Sequence, residues 1–353
     1  MASAPAVGVV GATGYSGALA ARLLADHPAF RLAFCTSDAA SGQSVASRLG
    51  LKSDLLFAPN GEAPRLGLEV DAVFLATPAE VSARLAPALV EAGKVVIDFS
   101  GAFRLADAAA YPKWYGFSHP NPALLEQAHY GLPELFGAPP RASSGPGGGV
   151  LVANPGCYPT SALLALAPLL RAGLVEARGV IIDAKSGVTG AGRQAKEEYS
   201  FAEIDDDLRA YRILAHQHTP EIARFLAQSA QASGALTLTF TPHLLPVRRG
   251  LLSTCYARPR AGVTSAAVAE CLAEAYRGAP FVKAVAPERV TLNAVVGTNE
   301  ARVGAVVGDD VVVAIGSIDN LLKGAAGQAI QNLNLIFGVE ETSGLGQLQR
   351  IAP

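Results

Sequence analysis

A two-domain α/β chain, with one domain doubly wound on a parallel sheet and the other α+β on a mostly antiparallel sheet, is predicted by three observations. The 353 residues exceed the roughly 100–200 that a single core usually organises. Up to about residue 155, short apolar runs alternate with stretches of helical spacing, the rhythm of βαβ units. Past Val180 the strand-like runs lengthen and follow one another with little helix between the last of them, which reads as antiparallel pairing.

Residues 6–10 form a continuous apolar run, followed by a glycine turn at 11–17 and helical spacing over 18–25. Further strands are expected at 31–36, 72–76 and 95–98, with a helix over 79–92. The segment 143–149, Ser-Ser-Gly-Pro-Gly-Gly-Gly, reads as a surface loop. An apolar helix is expected over 162–170, interrupted at Pro168 and far short of the roughly 20 residues that span a bilayer. Strands follow at 180–183, 236–240, 250–258, 290–296 and 311–315. In the tail, Leu321, Leu322, Ala325, Ala329, Leu333 and Ile336 share one helical face over 320–337, a helix expected to pack back on the first domain.

Composition narrows the function classes. Half of the residues are hydrophobic, 7% are aromatic and the formal net charge is −2, so nothing supplies the basic field that a nucleic acid needs. The residues after Met1 carry no charged leader, and no membrane span is expected. Cys35, Cys157, Cys255 and Cys271 are widely separated, which argues against a zinc knuckle or a disulfide framework and for a reducing, cytoplasmic setting.

Five constellations carry chemistry. The turn Gly11-Ala-Thr-Gly-Tyr-Ser-Gly17, between a strand and a helix, suits a pyrophosphate because glycine lets the backbone approach and the helix start offers N–H groups. At the end of the second strand, Thr36 and Ser37 can hydrogen-bond a 2′-phosphate, whereas Asp38 would repel one if it faced the site. In Asn154-Pro-Gly-Cys157-Tyr-Pro-Thr-Ser161, a cysteine stands just before an apolar helix, a position that favours thiolate and supplies oxyanion donors. The other three cysteines lie in apolar runs and read as packing residues.

His216-Gln-His218-Thr-Pro-Glu221 brings together two imidazoles and a carboxylate. Either histidine can act as the acid/base, with Glu221 fixing a tautomer; a metal site would lack its third and fourth ligands, so none is expected. Lys185 and Arg193, on the glycine-rich stretch 183–193, are candidates for an anionic substrate, as are Arg104 and, with weaker support, Arg248. Two other readings of the chain are a cysteine hydrolase built on Cys157 and His216, which leaves the glycine turn without a task, and a dinucleotide sensor without turnover.

The chain resembles the N-acetyl-γ-glutamyl-phosphate reductases, relatives of aspartate-semialdehyde dehydrogenase. The resemblance runs in order through GATGYSG from Gly11, FLATP from Phe74, DFSGAFR from Asp98, YGLPE from Tyr130, NPGCYPT from Asn154, KSGVTGAGR from Lys185, HQHTPEI from His216, FTPHLLPVRRG from Phe240 and DNLLKGAAGQAIQN from Asp319. It implies a Rossmann NADP-binding domain of residues 1–155 and 320–353, and a catalytic and dimerisation domain of 156–319. It further implies NADPH as cofactor, a small-molecule acyl phosphate as substrate, a role in arginine biosynthesis, and assembly as a homodimer or homotetramer.

Carried over residue by residue, Cys157 is the nucleophile and His216 or His218 the acid/base. Gly11, Thr13, Gly14, Tyr15, Ser16, Gly17, Thr36, Ser37, Thr77, Pro78, Ser186, Gly187 and Asn320 are expected to bind cofactor. Arg104, Lys185, Arg193, Glu221 and Arg248 are expected to bind substrate. The implied reaction is attack of the thiolate on the acyl phosphate, loss of phosphate, and reduction of the thioester to an aldehyde.

Overall fold

A run with no polar side chain has no face to offer water, and β1 (Ala6–Val10) is buried along its whole length. In this computed structural model, which describes residues 4–142, 148–194, 197–230 and 236–346, β1 lies between β2 (Arg31–Cys35) and β3 (Ala72–Leu75). With β4 (Val95–Asp98), β5 (His129–Tyr130) and β6 (Val150–Ala153) the sheet has the order β2-β1-β3-β4-β6-β5, and every pairing is parallel. Helices α1 (Tyr15–Ala25) and α2 (Ala79–Glu91) supply the crossovers. The chain divides into two compact units, Met1–Pro155 with Ala325–Pro353, and Gly156–Gly324. Most of the loop expected over 143–149 lies outside the described residues.

The second unit opens with α3 (Cys157–Arg171), five residues earlier than the expected 162, because Gly156 already has the extended backbone of an N-cap. Pro168 does not end it. A proline removes one backbone N–H and so orphans the carbonyl four residues back; here the Tyr276 hydroxyl donates to the Leu164 carbonyl at 2.5 Å. Strands β7 (Val180–Gly187), β8 (Arg209–Ala210), β9 (Leu238–Leu245), β10 (Leu251–Ala257), β11 (Val282–Ala284), β12 (Ala301–Val307) and β13 (Val312–Ile318) form one sheet. Its order is β11-β12-β13-β10-β7-β9-β8, with β11–β12 and β7–β9 parallel and the other pairs antiparallel. Helices α4 (His218–Ser229) and α5 (Ser265–Ala275) complete the unit.

One expected strand is corrected. Residues 290–296 turn through a short 3-10 segment, Leu292–Ala294, where the Val295 and Val296 N–H groups both return to the Leu292 carbonyl. The strand beside β13 is β12, whose internal Gly304 lowers strand propensity in the sequence. Gly304 stands there because a Cβ would lie 2.6 Å from the Val285 carbonyl oxygen. Close approach also seats α3: a Cβ on Gly316 would lie 2.4 Å from the Ser161 carbonyl oxygen, and the Ser161 hydroxyl donates to the Gly316 carbonyl at 2.8 Å.

The tail is a π turn, Leu322–Ala326, that continues into α6 (Gly327–Phe337) of the first unit. Its apolar residues Ala329, Ile330 and Leu333 are fully buried, and so are Gln328, Gln331, Asn332 and Asn334. Asn332 donates to the Gly131 carbonyl at 2.9 Å and to Asn154 Oδ1 at 3.2 Å. Among the described residues no helix is long and apolar enough to cross a membrane.

Candidate active site

In the first unit the glycine turn follows β1 at the point where the strand order reverses, between β1 and β3, where open α/β sheets bind ligands. Two of the three glycines answer to the protein itself. Gly11 has φ +80° and its Cβ would lie 2.5 Å from the Ala76 carbonyl oxygen; a Cβ on Gly17 would lie 2.5 Å from the Gly11 carbonyl oxygen. Gly14 differs: its nearest neighbour to a Cβ is the Gly11 carbonyl oxygen at 3.7 Å, ordinary contact, so the protein does not demand a glycine there. A bare backbone at the start of α1, which has no side-chain cap, leaves a cradle that fits a pyrophosphate.

Around this turn, Thr13 and Ser37 hydroxyls meet at 2.9 Å, and Thr77 meets the Ser82 hydroxyl at 2.8 Å just before Pro78 caps α2. Thr36 departs from the expected donor to a 2′-phosphate. It is fully buried, its hydroxyl donates to Asn60 Oδ1 at 2.7 Å, and its oxygen accepts the Gly11 N–H at 3.3 Å. The carboxylate of Asp38 accepts the Asn60 N–H at 2.8 Å and its side-chain amide at 2.9 Å.

In the second unit Cys157 is the first residue of α3. The N-cap Gly156 has no side chain to cap this helix, Pro159 has no N–H, and the Thr160 N–H bonds to the Gly156 carbonyl at 2.9 Å, so the first-turn N–H groups outside the helix ladder are those of Cys157 and Tyr158. Against the Cys157 Cβ lies the π turn, where a Cβ on Gly324 would come within 2.8 Å. Cys157 is half-buried, whereas burial pushes the thiols of Cys35 and Cys255 up to about 12 and raises that of Cys271. Cys271 is half-buried as well, so what sets Cys157 apart is its place as the first residue of α3.

Tyr158, next in sequence, gathers the rest. Its ring stands edge-on to His216 at 5.5 Å, to His218 at 5.9 Å and to Phe240 at 5.3 Å, and the two imidazoles are 4.8 Å apart. The Tyr211 hydroxyl donates to the Tyr158 hydroxyl at 3.1 Å, which donates to the His243 carbonyl at 3.2 Å. His216 Nδ1 accepts the His218 N–H at 3.1 Å, so the neutral ring carries its proton on Nε2. Burial, reinforced by the charge of Arg212, lowers His216 to about 4, which keeps it neutral at pH 7.

Glu221 stands at the approach to the nucleophile. It is fully buried and accepts the Gly156 N–H at 2.9 Å, which fixes the backbone just before Cys157, and the His218 N–H sets the tautomer of His216. Arg104 is likewise buried, with Nε donating to the Asn154 carbonyl at 2.9 Å and Nη2 to the Phe99 carbonyl at 2.7 Å, bonds that brace the chain leading to Cys157. Lys185 pairs with Asp183 at 3.0 Å, and His243 Nδ1 approaches the other oxygen of that carboxylate at 3.0 Å without hydrogen-bond geometry. Arg193 and Arg248 are exposed.

Asn320 accepts the Gly250 N–H at 2.8 Å and donates to the Thr189 hydroxyl at 3.0 Å. Gly187 is required by close approach, since its Cβ would lie 2.7 Å from the Val247 carbonyl oxygen, and the neighbouring Ser186 is buried. Sequence reasoning missed a cavity of about 310 Å³ beside His216, lined by Tyr199, Arg209, Tyr211 and Arg212 among others. The one available signal was the pair of arginines just before the histidines. It also missed the buried ion pair of Arg249 with Asp319, at 2.9 Å.

A parallel domain with a dinucleotide-type turn and a second domain with a helix-terminal cysteine beside paired imidazoles define the semialdehyde dehydrogenase class. Residues 6–140 match the family model described as semialdehyde dehydrogenase, NAD binding domain, and 157–320 that described as semialdehyde dehydrogenase, dimerisation domain. Aspartate semialdehyde dehydrogenase II from Vibrio cholerae superposes with a TM-score of 0.68 at 18% identity, covering 95% of this chain and 98% of that one. The Candida albicans enzyme, solved with NADP, gives 0.67 at 18% identity over 95% and 98%. At that distance these structures speak for the fold.

Sequence relatives stand much nearer. The N-acetyl-gamma-glutamyl-phosphate reductase of Dehalococcoides mccartyi is 44% identical over 96% of both chains, and that of Symbiobacterium thermophilum is 43% identical over 96% of this chain and 97% of its own. The chain belongs to the N-acetyl-gamma-glutamyl-phosphate reductase family.

Proposed function

We propose that the chain reduces N-acetyl-γ-glutamyl phosphate to N-acetylglutamate 5-semialdehyde with NADPH, releasing phosphate, as a step of arginine biosynthesis in the cytoplasm, and that it works as a homodimer or homotetramer. The observation that carries the reading is Cys157 at the uncapped start of α3, with His216 and His218 gathered on Tyr158. The names of the relatives supply the substrate.

Cys157 thiolate attacks the acyl carbon and the oxyanion develops against the first amides of α3. Phosphate leaves and a thioester remains on Cys157. A nicotinamide cofactor held at the glycine turn would supply the hydride that reduces this thioester. The resulting thiohemiacetal collapses to aldehyde and restores the thiol. His216, neutral with its proton on Nε2, donates a hydrogen bond to the reacting oxygen, and His218 moves the proton. Of the two histidines that the sequence left open, His218 takes the acid/base role, since a second proton on His216 would have to displace the His218 N–H.

For the cofactor, Gly11, Thr13, Gly14, Tyr15, Ser16 and Gly17 would hold the pyrophosphate, Thr77 and Pro78 are further candidates in the first unit, and Ser186, Gly187 and Asn320 are those of the second, with Asn320 the neighbour of the nicotinamide. The Ser37 and Thr13 hydroxyls would meet a 2′-phosphate, and the pairing of Asp38 with Asn60 offsets part of its repulsion.

The test is the phosphate-dependent oxidation of three semialdehydes, of N-acetylglutamate, of aspartate and of a carrier-linked aminoadipate, with NADP and NAD. The N-acetylglutamate compound with NADP is expected to give the highest kcat/KM. Cys157→Ser is expected to fall below a tenth of wild-type activity while still binding NADPH. A win for another semialdehyde would end the substrate assignment, and an active serine variant would end the thioester.

A further inference from the structure

The cavity beside His216 contains two cations that none of the expected site residues include, Arg209 and Arg212. We propose that Arg212, supported by Arg209, binds the α-carboxylate of the substrate and thereby selects a carbon chain that ends in a carboxylate. The proposal rests on the function given above and adds the residues that recognise the end of the substrate remote from the reacting carbon.

The first support is position. The cavity is lined by His216 and Tyr211, and the Tyr211 hydroxyl bonds to that of Tyr158, the residue after the nucleophile. Arg212 lies along the same wall, so a short chain held near Cys157 at one end has a cation for its other end. The second support is vacancy of charge. Among the described residues the Arg212 guanidinium has one hydrogen-bond partner, the uncharged Gln217 carbonyl oxygen at 3.2 Å, and no carboxylate within ion-pair distance. Its planar fork therefore keeps donors for a bidentate carboxylate. Arg209 is steadied by the Glu198 carbonyl and, more loosely, by Asp207 at 3.8 Å.

Backbone strain is the third support. The non-glycine residues with positive φ among the described residues are Asp206 at 58°, Arg212 at 44° and Leu214 at 58°, all on this segment. Such conformations are costly for side-chain-bearing residues and persist where a particular side chain must be presented. The remaining cations offer less, because Lys185 is paired with Asp183, Arg104 is turned into backbone carbonyls, and Arg193 and Arg248 do not line this cavity. Arg212 lines the same cavity as His216, so its charge borders the site.

The experiment compares N-acetylglutamate semialdehyde with N-acetyl-4-aminobutanal, the same chain without its carboxylate, in the phosphate-dependent direction. Wild type is expected to prefer the carboxylate-bearing aldehyde. In Arg212→Gln the ratio of the two kcat/KM values is expected to fall roughly 10–100-fold, the size of a lost charged hydrogen bond, through KM for the aldehyde. Arg212→Lys should restore part of the ratio, and Arg209→Gln should lower it less.

An unchanged ratio, an equal loss on both aldehydes, or a rise in KM for phosphate alone would overturn the assignment. Wild-type turnover is read first. If it fails on N-acetylglutamate semialdehyde and succeeds on another carboxylate-bearing aldehyde, the proposed function falls while Arg212 is tested on that aldehyde.

Discussion

His216 shows how burial sets what one side chain can do. Its pKa is lowered from 6.5 to about 4, first by desolvation and then by the charge of Arg212. The sign of the linkage follows directly. Above pH 6.5 neither the folded nor the unfolded chain protonates this ring, and its contribution to stability is complete. Between pH 6.5 and about 4 the unfolded chain takes up a proton that the folded chain refuses, so stability falls as pH falls, by on the order of 3 kcal/mol over the whole interval. His27, His119 and His129 are lowered in the same direction. Comparing urea midpoints of wild type and His216→Gln between pH 7.5 and 5 isolates the one residue. The difference between the two proteins should shift steadily in favour of the variant as pH falls, and a constant difference would remove His216 from the acid response.

At the scale of the element, α3 is a helix that contains a proline and completes its bonding from outside. Tyr276→Phe leaves the Leu164 carbonyl without the hydroxyl donor, and an expected loss of about 1–3 kcal/mol would be read from chemical denaturation. A loss under a few tenths would mean that the carbonyl finds another donor. This helix also shows where the sequence could be read. The strand, glycine turn and helix at 6–25 were legible because apolar period and turn chemistry agree there. Cys157 was legible because Pro and Gly precede it and an apolar run follows. The continuity of α3 through Pro168 was hidden, since the compensating hydroxyl comes from Tyr276, more than a hundred residues on. β12 was hidden because Gly304 answers to the Val285 carbonyl, a contact that no local pattern records. The same holds for Glu221, whose partner is a backbone N–H of a distant loop, and for Arg212, whose value lies in the cavity it lines.

At the scale of the whole molecule, the first unit is assembled from both ends of the chain, with α6 contributing buried Ile330 and Leu333 and the bonds of Asn332 to Gly131 and Asn154. A chain ended after Ala326 is expected to lose NADPH binding and to bind a hydrophobic dye, whereas unaltered binding would show that α6 is dispensable. There is also a consequence in time. Synthesis delivers the residues of the parallel sheet first, but their last helix follows only after the entire second unit, an interval on the order of 10–30 s at typical elongation rates. The second unit, continuous in sequence, can finish its fold while the first still waits on the ribosome with part of its apolar surface bare. The nascent chain thus has a long window in which it needs shelter, and a premature stop just before the codons of α6 would be as damaging as one near the beginning.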